Sequence, residues 1–76
     1  MNWRKHITSK PDVCHGKMCI EGTRIMVSII LDSLADGVEI ETLLKEYPSL
    51  KREDIFATLG YAADLASGRY APRKAG

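Results

Sequence analysis

Three amphipathic segments, each closed by a residue that cannot carry a helix onward, decide what this chain can fold into. Val27, Ile30, Leu31 and Leu34 recur at helical spacing and stop before Gly37. Ile40, Leu43, Leu44 and Tyr47 do the same and stop at Pro48. Ile55, Leu59, Ala62 and Ala66 follow, with Ala63 beside them, and stop before Gly68. Recurrence at i, i+3, i+4 and i+7 gives a helix one apolar face. Proline pushes the residue before it out of the helical region, and glycine accepts the left-handed conformation in which helices end. The predicted helices therefore start at Val27 with Ser28 as N-cap, span about Ile40–Tyr47, and span Arg52 to about Ala66. Glu53 and Asp54 fall in the first turn of the third, where the helix dipole favours acids. Ile29 makes the first apolar face wider than one small core needs.

Upstream of Val27 the pattern changes. Residues 1–12 read as extended, with a short strand at His6-Ile7-Thr8 and a turn at Pro11-Asp12. Lys17–Ile20 and Thr23–Met26 flank Glu21-Gly22, the spacing of a tight hairpin whose glycine takes positive φ. Gly22, Thr23 and Arg24 are read as a structural brace, the arginine pairing with Asp32 or Glu21. The fold class that follows is mainly α: a three-helix bundle behind a short N-terminal β-hairpin element. At 76 residues this is a single domain, 1–76, with an ordered core of about 6–67 and a flexible tail at 68–76. A chain this short buries ~60% of its unfolded surface, so a symmetric homodimer is expected to supplement the core.

Composition and motifs exclude more than they assign. The formal charge of +1 lacks the basic excess of a non-specific nucleic-acid binder. Cys14, His15 and Cys19 place three soft ligands within six residues, and His6 is a fourth candidate. Structural zinc sites use two close ligand pairs, and no second pair is present, so no metal is expected. No base is fixed beside either cysteine, and no phosphate loop or serine elbow occurs, so neither an enzyme activity nor a cofactor is expected. The longest apolar run, Ile29-Ile30-Leu31, is too short to span a membrane. The N-terminus has no apolar run behind its charges, which points to a cytoplasmic protein with reduced thiols.

Pro48-Ser49-Leu50-Lys51 joins the last two helices by a short connection, the footprint of a helix-turn-helix. In that unit Lys51, Arg52 and Thr58 would face DNA. The set V-C-x-G-K-x-C-I-x-G-T-R-I-x-V from Val13 to Val27, then E-Y-P-x-L-x-x-E-D-I from Glu46 and L-x-Y-A from Leu59, resembles the domain of unknown function 433 family over roughly residues 6 to 66. The resemblance implies a homeodomain-like helix-turn-helix with an N-terminal β element. It also implies an antitoxin of a toxin–antitoxin pair, set against a nuclease-like toxin and operator DNA. On that reading the basic tail, through Arg69, Tyr70 and Arg73, would bind the toxin. The chain departs from the family pattern at four positions. His15 stands where glycine is usual, Met18 and Met26 where proline is usual, and Lys51 where a capping threonine or serine is usual. Lysine cannot accept the orphan N–H bonds, so the third helix would be capped by Ser49 or by water, or start later. The contrasting reading is a protein-interaction or dimerisation module with no DNA role, favoured by the Ile29 face and the balanced charge.

Overall fold

The computed structural model describes residues 2–72. A 3-10 turn at Trp3–Lys5 leads into strand β1 (Ile7–Thr8), a turn at Cys14–Gly16 and strand β2 (Cys19–Ile20). Helices α1 (Val27–Ala35), α2 (Ile40–Glu46) and α3 (Arg52–Ser67) follow. The strands are antiparallel, with Ile7 opposite Ile20 and Thr8 opposite Cys19. The product is a small helical bundle behind an N-terminal hairpin. α1 and α2 have nine and seven residues, too few to persist alone in water. They hold because Val27, Ile30, Leu43, Leu50 and Ile55 close one core with Trp3, Ile7 and Ile20.

The hairpin differs in detail from the expected two-residue linker. β2 pairs as a strand with β1, while the segment after the turn returns beside β2 through an Ile20 N–H bond to the Ile25 carbonyl of 2.9 Å and a Cys19–Met26 bridge. The loop is Glu21–Arg24. Gly22 sits at φ +79°, and Thr23 Oγ1 both donates to the Ile20 carbonyl (2.9 Å) and accepts the Ile25 N–H (3.0 Å). Gly22 and Thr23 thus brace the loop. The Arg24 side chain does not: it is exposed, and among the described residues it has no ion pair. Glu21 instead faces Lys10 at 3.6 Å. Arg24 contributes through its carbonyl, which accepts the Cys14 thiol at 3.1 Å.

The helix ends depart from expectation at the N-termini of α1 and α3. Ser28 is not the cap of α1; Met26 occupies that position without a side-chain bond. The hairpin supplies the acceptor instead, since the Val27 N–H donates to the Met18 carbonyl (3.0 Å). At the other end Gly37, at φ +86°, lets Val38 N–H reach Ser33 and Gly37 N–H reach Leu34, both at 3.0 Å. That closes the last carbonyls as in a Schellman motif. α3 needs neither Ser49 nor a later start. Asp54 reaches back and its Oδ2 accepts the Lys51 N–H (3.0 Å), the acidic half of a capping box.

Residues 3–5 and 68–70 are more structured than their sequence suggests. Residues 3–5 are not extended: Trp3 is 2% exposed, and its Nε1 donates to Asp64 Oδ2 at 2.8 Å. Its ring stands edge-on to Tyr61 (5.0 Å) and Tyr70 (5.1 Å), and the Arg4 guanidinium lies 4.4 Å over its face. The tail expected to be flexible from Gly68 folds back through at least Tyr70. Gly68 takes φ +79°, and the Tyr70 N–H donates to the Asp64 carbonyl (3.2 Å). The Trp3 bond, and after it the Arg69 guanidinium, hold the Asp64 carboxyl below its ordinary value.

Cys14, His15 and Gly16 form a left-handed turn, with φ of 51°, 55° and 79°. Left-handed backbone costs an L-residue roughly 1–2 kcal/mol, and glycine avoids it. Position 15 is thus one where a side chain is strained. His15→Gly is expected to stabilise the fold by about 0.5–1 kcal/mol, after allowing for the extra freedom glycine gives the unfolded chain. Urea unfolding followed by circular dichroism checks this, and an unchanged or lower midpoint would count against the strain.

Candidate functional site

Helix α3 presents two unlike faces. Inward, Asp54, Ile55, Ala57 and Thr58 are buried, with Tyr61, Ala62 and Leu65 half-buried behind them. Outward, Arg52, Phe56, Leu59 and Ala63 fall within one narrow stripe, since spacings of three, four and seven superpose on a helix. Phe56 is 46% exposed and Leu59 41% exposed. Leu59 was expected in the core, together with Ala63 and Ala66, and all three lie on the water side. Two polar residues displaced them. Asp54 is satisfied by Lys51 N–H and by His6 Nδ1 at 3.1 Å, and Thr58 Oγ1 donates to the Asp54 carbonyl at 2.9 Å. Polar groups whose hydrogen bonds are satisfied can be buried at little cost, so the core face runs through them.

The residues expected to face DNA separate. Thr58 is fully buried and its hydroxyl is engaged within its own helix, so it presents nothing to a groove. Arg52 is exposed but paired with Glu41 of α2. Lys51 is exposed and, among the described residues, has no ion pair. The exposed acids Glu41 and Glu53 flank these cations, so no basic field builds up at the start of α3. A salt-screened surface pair such as Arg52–Glu41 is worth little to stability, but it neutralises the cation a phosphate would meet.

The residues expected to bind a toxin also separate. Arg69 holds Asp64 at 2.8 Å between Nε and Oδ1, while Tyr70 is half-buried between Trp3 and Tyr61. Arg73 lies outside the described residues. Beside this corner Val27, Leu31, Tyr61, Leu65 and Tyr70 line a shallow groove of about 590 Å³. Among the described residues no three His, Cys, Asp or Glu side chains converge as metal ligands. No helix among them is long and apolar enough to cross a membrane. The hydrophobic periodicity assigns Leu59 to the core face with Ile55, so it does not reveal that Leu59 and Phe56 share the exposed stripe.

Comparison with known proteins places this arrangement. An uncharacterized protein, y4eO, of Sinorhizobium fredii (strain NBRC 101917 / NGR234) is 37% identical over 59 residues, which is 78% of this chain but 27% of that protein. The chain thus spans about a quarter of that relative's length. A crystal structure of a DUF433 member protein from Anabaena variabilis ATCC 29413 superposes with a TM-score of 0.75 at 32% identity, over 83% of this chain and 62% of that one. Residues 7–62, from the first strand to the middle of α3, match the family model described as Protein of unknown function (DUF433). With that match over most of its length, and with that superposition on a solved member, the chain belongs to the DUF433 family.

Proposed function

We propose that this chain is a protein-binding module of the antitoxin type, which docks on a protein toxin through the outer face of α3. The observation that carries the reading is the Phe56–Leu59–Ala63 stripe, apolar and exposed on a helix whose opposite face already fills the core. Large apolar side chains set side by side in water mark contact surfaces, and aromatic anchors dominate their energetics. Arg52 and Glu53 give this stripe a charged rim. The antitoxin half of the reading rests on the family resemblance.

The test pairs the chain with the product of its neighbouring gene. Expression of that product alone should arrest growth, and co-expression with this chain should relieve it. Each hot-spot truncation costs at least about 2 kcal/mol, roughly 30-fold in affinity. Phe56→Ser with Leu59→Ser is therefore expected to abolish both co-purification and relief while leaving the helical circular dichroism spectrum unchanged. A double variant that still relieves arrest removes the docking face, and a harmless neighbouring product removes the antitoxin reading. Operator binding is the second reading, supported by exposed Lys51 at the α2–α3 connection. Specific retention of the chain's own promoter DNA, weakening steeply with salt, would support it. A homodimer through exposed Ile29 would appear in light scattering as a doubled mass.

A further inference from the structure

The left-handed turn brings the two cysteines to one place, and the proposed docking face makes no use of them. Cys14 is half-buried and Cys19 fully buried, and both are free thiols. Both lie against the same returning segment. The Cys14 thiol donates to the Arg24 carbonyl at 3.1 Å, while Cys19 is bridged to Met26 two residues further on. Neighbouring backbone bonds pin this register, from Ile20 N–H to the Ile25 carbonyl (2.9 Å) and from Val27 N–H to the Met18 carbonyl (3.0 Å). Burial first, and then a side-chain hydrogen bond with Cys14, raise the Cys19 thiol above its ordinary value. The intervening residues cannot straighten freely, because the Gly16 and Lys17 N–H groups donate to the Val13 and Cys14 carbonyls at 3.1 and 3.0 Å.

We propose that Cys14 and Cys19 are a peroxide-sensitive thiol pair, oxidised to an intramolecular disulfide that clasps the left-handed turn to β2. The chemistry divides the roles by exposure. The thiolate is the reactive form, and access decides which cysteine reacts first. Cys14, the more accessible of the two, attacks one peroxide oxygen. The O–O bond breaks, hydroxide leaves and is protonated to water, and Cys14 becomes a sulfenic acid. The Cys19 sulfur then attacks the Cys14 sulfur. The S–S bond forms, the S–O bond breaks, and the departing hydroxide takes the Cys19 proton as a second water. Two thiols and one hydrogen peroxide thus give one disulfide and two waters. A thiol reductant reverses the step by exchange.

Titration of the reduced chain with hydrogen peroxide, read by mass spectrometry and thiol counting, tests this. The expected product is monomeric, has lost two hydrogens and both titratable thiols, and recovers them with dithiothreitol. Lys17 lies between the cysteines and is exposed, so trypsin cleavage there should leave the Cys14 and Cys19 peptides joined until reduction. Cys19→Ser should leave a Cys14 sulfenic acid that dimedone traps. Cys14→Ser should leave Cys19 unreacted under native conditions. Cys14 driven to sulfinic acid in the native chain, a disulfide-linked dimer, or two thiols that survive peroxide would each overturn the proposal. None of these readouts involves Phe56 or Leu59, so the docking proposal stands or falls separately.

Discussion

Replacing Trp3 with alanine is expected to remove about 3–5 kcal/mol of stability, the usual cost of emptying a buried tryptophan site. A domain of this size has roughly 4–11 kcal/mol in total, scaling the per-residue value. The variant should therefore unfold at a far lower urea concentration, or lack a folded baseline at working temperature. The reason lies in what the ring joins. It is 2% exposed, stands between Tyr61 and Tyr70, and ties its indole N–H to Asp64 on α3. Trp3→Phe separates packing from hydrogen bonding, because phenylalanine keeps much of the apolar surface and loses the donor. In the wild-type chain the same corner should sense acid. The folded Asp64 pKa is depressed below its ordinary 3.8, so its contribution is present above that value and is lost as pH falls through the folded pKa. Tryptophan fluorescence should report that loosening. A Trp3→Ala variant with wild-type unfolding would refute the anchoring role.

The second large effect is expected at Asp54. Alanine there removes the acceptor for the Lys51 N–H and strands His6 Nδ1 without its partner. Losing a helix cap costs about 1 kcal/mol, and losing a hydrogen bond to a charged group about 1.5–3 kcal/mol. Asp54→Ala is thus expected to cost about 2–3 kcal/mol, allowing for partial relaxation. Asp54→Asn keeps an oxygen for Lys51 and should cost clearly less. The Thr58 bond goes to the Asp54 backbone and survives both changes. Amide exchange provides the specific check: the first turn of α3 should open faster in the alanine variant, while α1 keeps its protection. Equal exchange in that turn would mean that Asp54 is not the cap.

The helices were legible because their boundaries are local chemistry. Gly37, Pro48 and Gly68 end helices whatever surrounds them, and the structure stops all three helices within two residues of those points. Orientation was less legible, because it depends on partners distant in sequence. Nothing near Trp3 announces that it will sit on residues 61–70. Nothing near Asp54 announces that His6, 48 positions away, will help hold it in the core. On α3 the periodic reading followed hydrophobicity to Leu59, whereas the fold followed polar satisfaction to Asp54 and Thr58. Ser28 fails as the cap for a related reason: the carbonyl of Met18, just before β2, accepts the first N–H of α1. The apolar stripe at Phe56 became visible only once the core had been assigned to the other face.

The ring cluster also joins two segments far apart in sequence. The Trp3 and Tyr70 rings lie 5.1 Å apart, so the segments that carry them meet at one corner. A domain tied off in this way can be spliced into a loop of another protein without stretching either junction. In engineering terms, the closure that anchors the core doubles as a hinge point for grafting.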